Sequence, residues 1–154
     1  MCATNRIASL ALLSLSCAAI APAHADPCGG ININHTVTWE PTEIAKGSSL
    51  ANWRGSSVTV SNDPKGPFHL LSGECKGTFY IASDGGTHGS GSCARRDKDG
   101  DVLFEDFQAN GLRGASKLVG GTGKFAKATG TLQYENIPLQ GRTAAVSWNG
   151  DCRL

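Results

Sequence analysis

Five carboxylates fall within ten positions of this chain: Asp97, Asp99, Asp101, Glu105 and Asp106. Such a density supports two kinds of chemistry. Asp97-Lys98-Asp99-Gly100-Asp101 could open a calcium loop, and Glu105 or Asp106 could exchange protons with a bound molecule. The first reading fails on spacing. A calcium hand needs glycine at loop position six and a bidentate carboxylate at position twelve. Counted from Asp97, those places hold Val102 and Gln108. The apolar alternation that resumes after Asp101 belongs to a strand, so the stretch reads as a turn between strands. Asp99-Gly100 is a preferred pair for a two-residue hairpin, where both central residues need positive φ. No metal is expected here.

The second chemistry depends on which side of a strand is sheltered. From Val102 to Gln108, Glu105 shares a face with Leu103 and Phe107, and Asp106 with Val102 and Phe104. Whichever face is inside, one acid sits among apolar neighbours. Desolvation would raise its pKa and suit it to general acid or base work, with Tyr134 as a partner. A plainer role is an ion pair with Arg95, Arg96 or Arg113 on an adjacent strand. His35, His69 and His88 lie far apart, outside any metal-ligand spacing. Gly120-Gly121-Thr122-Gly123-Lys124-Phe125 is no nucleotide loop: Ala126 stands where Gly-x-Gly-x-x-Gly needs glycine, and Leu118 and Phe125 occupy key positions of a phosphate loop. Those glycines suit a tight corner instead. No cofactor is expected.

These residues need a scaffold, and the chain describes one. Residues 1–25 read as a secretory signal: Arg6, an apolar run from Ile7 to Ile20, and a small-residue cleavage site at Ala23-His24-Ala25. Residues 26–154 then form a single domain, exported to a periplasmic or extracellular space. Without Arg6 the domain carries 13 basic and 13 acidic residues, and it has no basic run. That balance gives no electrostatic footprint for nucleic acid. No later stretch is long and apolar enough for a membrane-spanning helix.

Cys28, Cys75, Cys93 and Cys152 remain, and four cysteines in an exported chain imply two disulfides in one of three connectivities. Cys75–Cys93 would join neighbouring strands and Cys28–Cys152 the two ends. Alternating segments separated by glycine-rich breaks occur at 35–39, 57–61, 74–82, 87–96, 102–110, 116–119, 131–137 and 143–149. This spacing predicts an all-β domain, a small antiparallel barrel of about eight strands stapled by disulfides. Pro41–Leu50 and Gly123–Ala128 could each hold a helical turn or two.

Leu118-Val119-Gly120-Gly121-Thr122-Gly123-Lys124-Phe125-Ala126-Lys127-Ala128-Thr129-Gly130 resembles the glycine-rich signature of dirigent proteins and allene oxide cyclases. Gly73-x-Cys75-x-Gly77, Gly89-Ser90-Gly91-Ser92-Cys93 and Asp97–Asp101 resemble secreted bacterial relatives of that barrel. The resemblance covers Gly73–Glu135 and implies an eight-stranded antiparallel barrel, with the glycine motif as a structural corner. It also implies a homo-oligomer, commonly a trimer.

An eight-stranded barrel can be filled by side chains or can hold one small ligand. Trp39, Phe79, Phe104, Tyr134 and Trp148 are the candidates to line such a site, and Glu105, Asp106 and Tyr134 to act in it. The leading expectation is an exported barrel that binds a small apolar or aromatic molecule or serves as a scaffold. Its rivals are a cofactor-free cyclase or isomerase with a lumenal carboxylate, and a packed barrel that acts through its surface.

Overall fold

The computed structural model describes residues 26–154, so the expected signal sequence lies outside the described residues. Eight strands form a closed barrel in sequence order: β1 (Asp26–Ala45), β2 (Ser48–Ser61), β3 (Ser72–Ile81), β4 (Thr87–Arg96), β5 (Val102–Asn110), β6 (Arg113–Gly121), β7 (Thr129–Pro138) and β8 (Thr143–Arg153). Every pairing is antiparallel, and β8 returns to β1 through a register running from Asp26↔Cys152 to His35↔Thr143. Closure leaves no free edge around the barrel wall. Beyond His35, β1 and β2 continue as a hairpin arm whose outward strand pairing is to β3 (Ala51↔Phe79, Trp53↔Gly77). Residues 41–45 and 48–50 are therefore strand, not the helical turn expected for Pro41–Leu50. Pairing across Pro41↔Ala51 and Thr42↔Leu50 overrides the local propensity. Among the described residues the one helical element is a 3-10 turn, Gly123–Phe125, and no helix is long and apolar enough to cross a membrane.

One end of the barrel is plugged. Phe125, Leu71, Leu103, Leu118, Ala128 and Leu132 form a buried cluster, with Trp148 and Cys152 at its edge and Phe68 packed against it. The glycine signature makes this plug. Gly120 and Gly123 take positive φ (96° and 51°), and a Cβ at Gly121 would strike the backbone oxygen of Val102 and the Phe125 side chain. The chain can therefore cross β5 closely and drop the wholly buried Phe125 into the lumen. Asp101 fixes the corner by accepting a hydrogen bond from the Lys124 backbone N–H at 3.1 Å.

The acidic turn between β4 and β5 is a hairpin with a three-residue loop, Lys98-Asp99-Gly100. Asp97 N–H donates to Asp101 O at 3.0 Å, and Gly100 N–H to Asp97 O at 3.2 Å. Only Gly100 has positive φ, at 95°, so the turn is the bulged kind rather than the two-residue kind that Asp99-Gly100 suggests. The Lys124 ammonium is ion-paired to Asp97 and lies 3.7 Å from Asp99. That contact holds the Asp97 carboxyl below its usual range. The protein thus supplies its own cation to this turn.

Two disulfides complete the frame. Cys28–Cys152 ties the first strand to the last across 124 residues, and Cys75–Cys93 joins directly opposed residues of β3 and β4 across 18.

Candidate functional site

Alternation in β1 runs opposite to that of an ordinary half-buried strand. Asn32, Asn34 and Thr36 point inward, while Ile31, Ile33 and Val37 are exposed on the outer wall. A polar ladder therefore enters a lumen whose other walls are mixed. On β5 the inward set is Leu103, Glu105, Phe107 and Ala109; on β8 it is Val146, Trp148 and Cys152. Leucine and phenylalanine fill the plugged half. The other half keeps a cavity of about 190 Å³, lined by residues that include Asn32, Asn34, Trp53, Arg95, Glu105, Phe107, Ser116, Tyr134 and Trp148. A smaller void of about 20 Å³ lies deeper, between Asn32, Thr59, Glu105 and Trp148.

At the floor, Glu105 is ion-paired with Arg95, and their side chains are 10% and 7% exposed. Register places them across β4 and β5: Cys93 faces Glu105, and Arg95 is two residues further along the same inward face. Arg95 Nε also donates to Ser57 Oγ at 3.2 Å. Burial lowers the guanidinium to a pKa of about 10, which leaves it charged at neutral pH. The pair keeps the floor electrically neutral overall.

Tyr134 crosses the wall of the cavity. Its ring passes over Gly114, where a Cβ would collide with the phenol oxygen, and its hydroxyl donates to the backbone oxygen of Gln108 at 3.0 Å. Burial pushes the phenol up to about 12. The proton is thus committed to a backbone acceptor.

The mouth is aromatic. Trp53 stands edge-on to Phe107 and to Phe79, each at 6.0 Å between ring centroids, and Phe79 leans on Trp39 at 5.6 Å. Glycines make room for this ladder: a Cβ at Gly89 would enter the Phe79 ring, and one at Gly91 would meet Phe107 at 2.6 Å. Trp53 Nε1 donates to Thr36 Oγ1 at 3.2 Å, which links the aromatic ladder to the polar one.

The structure brings Glu105, Tyr134 and Trp148 together around one cavity and sets the other candidates apart. Phe104 and Asp106 face outward: Phe104 is 42% exposed, and Asp106 accepts a 2.6 Å hydrogen bond from Ser92 on the outer wall. Both belong to the strand face opposite Glu105, so neither lines the lumen. Phe79 and Trp39 sit on the aromatic ladder behind the mouth, where Phe79 packs on the cavity-lining Trp53 and Phe107, and Trp39 packs on Phe79 outside the cavity lining. Sequence reasoning passed over Asn32, Asn34, Trp53, Phe107 and Ser116. The available signal was the inverted alternation Ile31-Asn32-Ile33-Asn34, whose polar face has the spacing of a lumenal wall.

Among the described residues, four of the lumen's polar atoms lack a protein partner: Asn32 Oδ1, Asn34 Oδ1, Thr59 Oγ1 and Trp148 Nε1. Buried polar groups are nearly always hydrogen-bonded, and these atoms are open to a guest molecule or water. As it stands, the arrangement can hold a small neutral molecule by an aromatic mouth and a polar floor. Glu105 is a poor proton carrier while Arg95 occupies it.

No protein-family model and no curated protein sequence matches the chain. Solved structures do resemble it. The pterocarpan synthase dirigent protein GePTS1 superposes with a TM-score of 0.53 at 15% identity, over 94% of this chain and 98% of that one. An enzyme from Penicillium herquei superposes with a TM-score of 0.64 at 9% identity, over 85% of this chain and 97% of that one. At these identities the likeness is one of fold, a dirigent-like eight-stranded barrel.

Proposed function

We propose that this protein is an exported, disulfide-locked barrel that binds one small neutral ring compound in its lumen. The observation that carries the reading is the half-open lumen: a cavity of about 190 Å³ beside partnerless Asn32, Asn34 and Trp148 atoms. A barrel that acted only through its surface would have packed this volume with side chains. Ligand sites are concave and largely apolar, with a few placed polar groups, as here. The two disulfides favour an oxidising compartment.

Of the two solved structures with a similar fold, one is a pterocarpan synthase dirigent protein and the other an enzyme, which keeps a cofactor-free cyclase or isomerase as the rival. The rival needs a free lumenal carboxylate, and the Arg95–Glu105 pair argues for binding instead. The outer wall adds a second role. Ile137, Ala145, Ile33 and Val58 are register partners across four adjacent strands, with Ile31 and Val60 in the next row. All of these except Ala145 are exposed. Ser147 and Glu135 complete that second row, so the apolar patch is bordered by one charge on β7 and is otherwise of the kind found at a protein–protein interface core. We infer that copies of this chain associate through that wall.

Native mass spectrometry of the mature protein tests both readings at once. A small-molecule adduct released on denaturation, on a defined oligomer that Ile33→Glu converts to monomer, is the expected result. A wild-type monomer without adduct would contradict both.

A further inference from the structure

Resting on the lumenal reading, we infer that the ligand is a neutral cyclic polyol, a pyranose or a cyclitol, rather than a phenol or a hydrocarbon ring. Size sets the first limit. An engineered cavity of roughly 150 Å³ takes one benzene ring, so about 190 Å³ takes one six-membered ring with small substituents.

Charge sets the second. An anion would gain from Arg95 but face the Glu105 carboxylate, and a cation would meet the reverse; the pair favours neither. A charged ligand would also lose its hydration in a site that offers no net compensation.

Hydrogen bonding sets the third. The unmet atoms include two acceptors, Asn32 Oδ1 and Asn34 Oδ1, and a donor, Trp148 Nε1. Hydroxyl is the simplest neutral group that serves both kinds, since it donates once and accepts twice. Exchanging the oxygen and nitrogen of either amide leaves the demand mixed.

The distribution of these groups separates a polyol from a phenol. Asn32 and Asn34 lie on β1, Trp148 on β8, Ser116 on β6, Arg95 on β4 and Glu105 on β5. The unmet Asn32, Asn34 and Trp148 atoms sit together on adjacent β1 and β8, and Ser116 and the mutually paired Arg95 and Glu105 face them across the lumen. A phenol's single O–H can donate to only one of the two amide acceptors, whereas a ring with several hydroxyls can serve both of them and the indole donor. Trp53 and Phe107 supply apolar surface for its C–H face at the mouth.

Isothermal titration of the oxidised, mature protein with D-glucose, D-galactose, myo-inositol, phenol and cyclohexanol tests this. Saturable binding of at least one polyol, tighter than phenol and cyclohexanol, is expected. Asn34→Leu should weaken that polyol about tenfold, the worth of one to two hydrogen bonds, and spare or improve cyclohexanol. Ser116→Ala, a smaller change, should weaken the same polyol if Asn34→Leu fails to fold. Binding of phenol or cyclohexanol alone would overturn the polyol inference and leave the lumenal reading standing. No binding by any of the five would overturn both, and polyol binding unchanged in the folded variants would place the site elsewhere.

Discussion

Replacing Arg95 by methionine should destabilise the barrel by about 3–5 kcal/mol, the cost of stranding one partner of a buried ion pair. Methionine restores much of the side-chain volume, so the loss falls on Glu105, whose side chain is only 10% exposed. The barrel wall closes around the pair, and the lumenal cavity is the one opening that Glu105 lines. Ser57 would also lose its donor. Against a typical total of roughly 5–15 kcal/mol this is a large fraction. The double variant Arg95→Met/Glu105→Leu should recover most of the loss, because it removes both charges together. Urea unfolding of the three proteins reads the result through the midpoint, with the slope unchanged. A single variant costing under about 1 kcal/mol would show a solvated pair and a wetter lumen than described.

The disulfides should differ in weight according to the loop each closes. In the chain-entropy model, Cys28→Ala/Cys152→Ala should lose about 5 kcal/mol and Cys75→Ala/Cys93→Ala about 3 kcal/mol. The separations behind those figures are 124 and 18 residues. Structure reinforces the order. Cys28–Cys152 sits against the plug and holds β1 to β8, the pair whose strands are most distant in sequence. Opening it frees both ends of the barrel, whereas β3 and β4 remain joined by their own hairpin register. Thermal or urea unfolding of the two double variants measures the order. A larger loss from the shorter loop would mean that the lumenal sulfurs matter through packing rather than through chain closure.

Much of this architecture is legible before any coordinates. Eight alternating segments with glycine breaks, and no long helix, leave few solutions other than a small barrel. The glycine signature marks a corner because Gly120, Gly121 and Gly123 each stand where a side chain would be strained or obstructed. The site was harder to read. Alternation separates two faces of a strand without saying which is inside, and in β5 both faces carry large apolar residues. Phe104 is as hydrophobic as Phe107, yet the barrel's closure turns one outward and the other into the lumen. In β1 the usual rule is reversed, since apolar Ile31 and Ile33 serve the outer wall and Asn32 and Asn34 the lumen. That reversal is a tertiary fact, set by pairing with both β2 and β8. The arm at 41–50 was missed for a similar reason: a proline and small polar residues are held extended by cross-strand pairing.

A small molecule that enters the lumen and contacts its polar floor should perturb the indole groups that line it. The most direct test follows the indole N–H resonances of Trp148 and Trp53 in 1H–15N spectra during titration with the five ring compounds named above. Trp148 Nε1 has no protein partner and Trp53 Nε1 donates to Thr36, so both report from the cavity wall. Lumenal binding should give saturable shifts of both indoles, with Trp148 moving more and Trp39, on the outer arm, nearly still. Shifts confined to outer-wall residues, or none at all with any of the five, would contradict it.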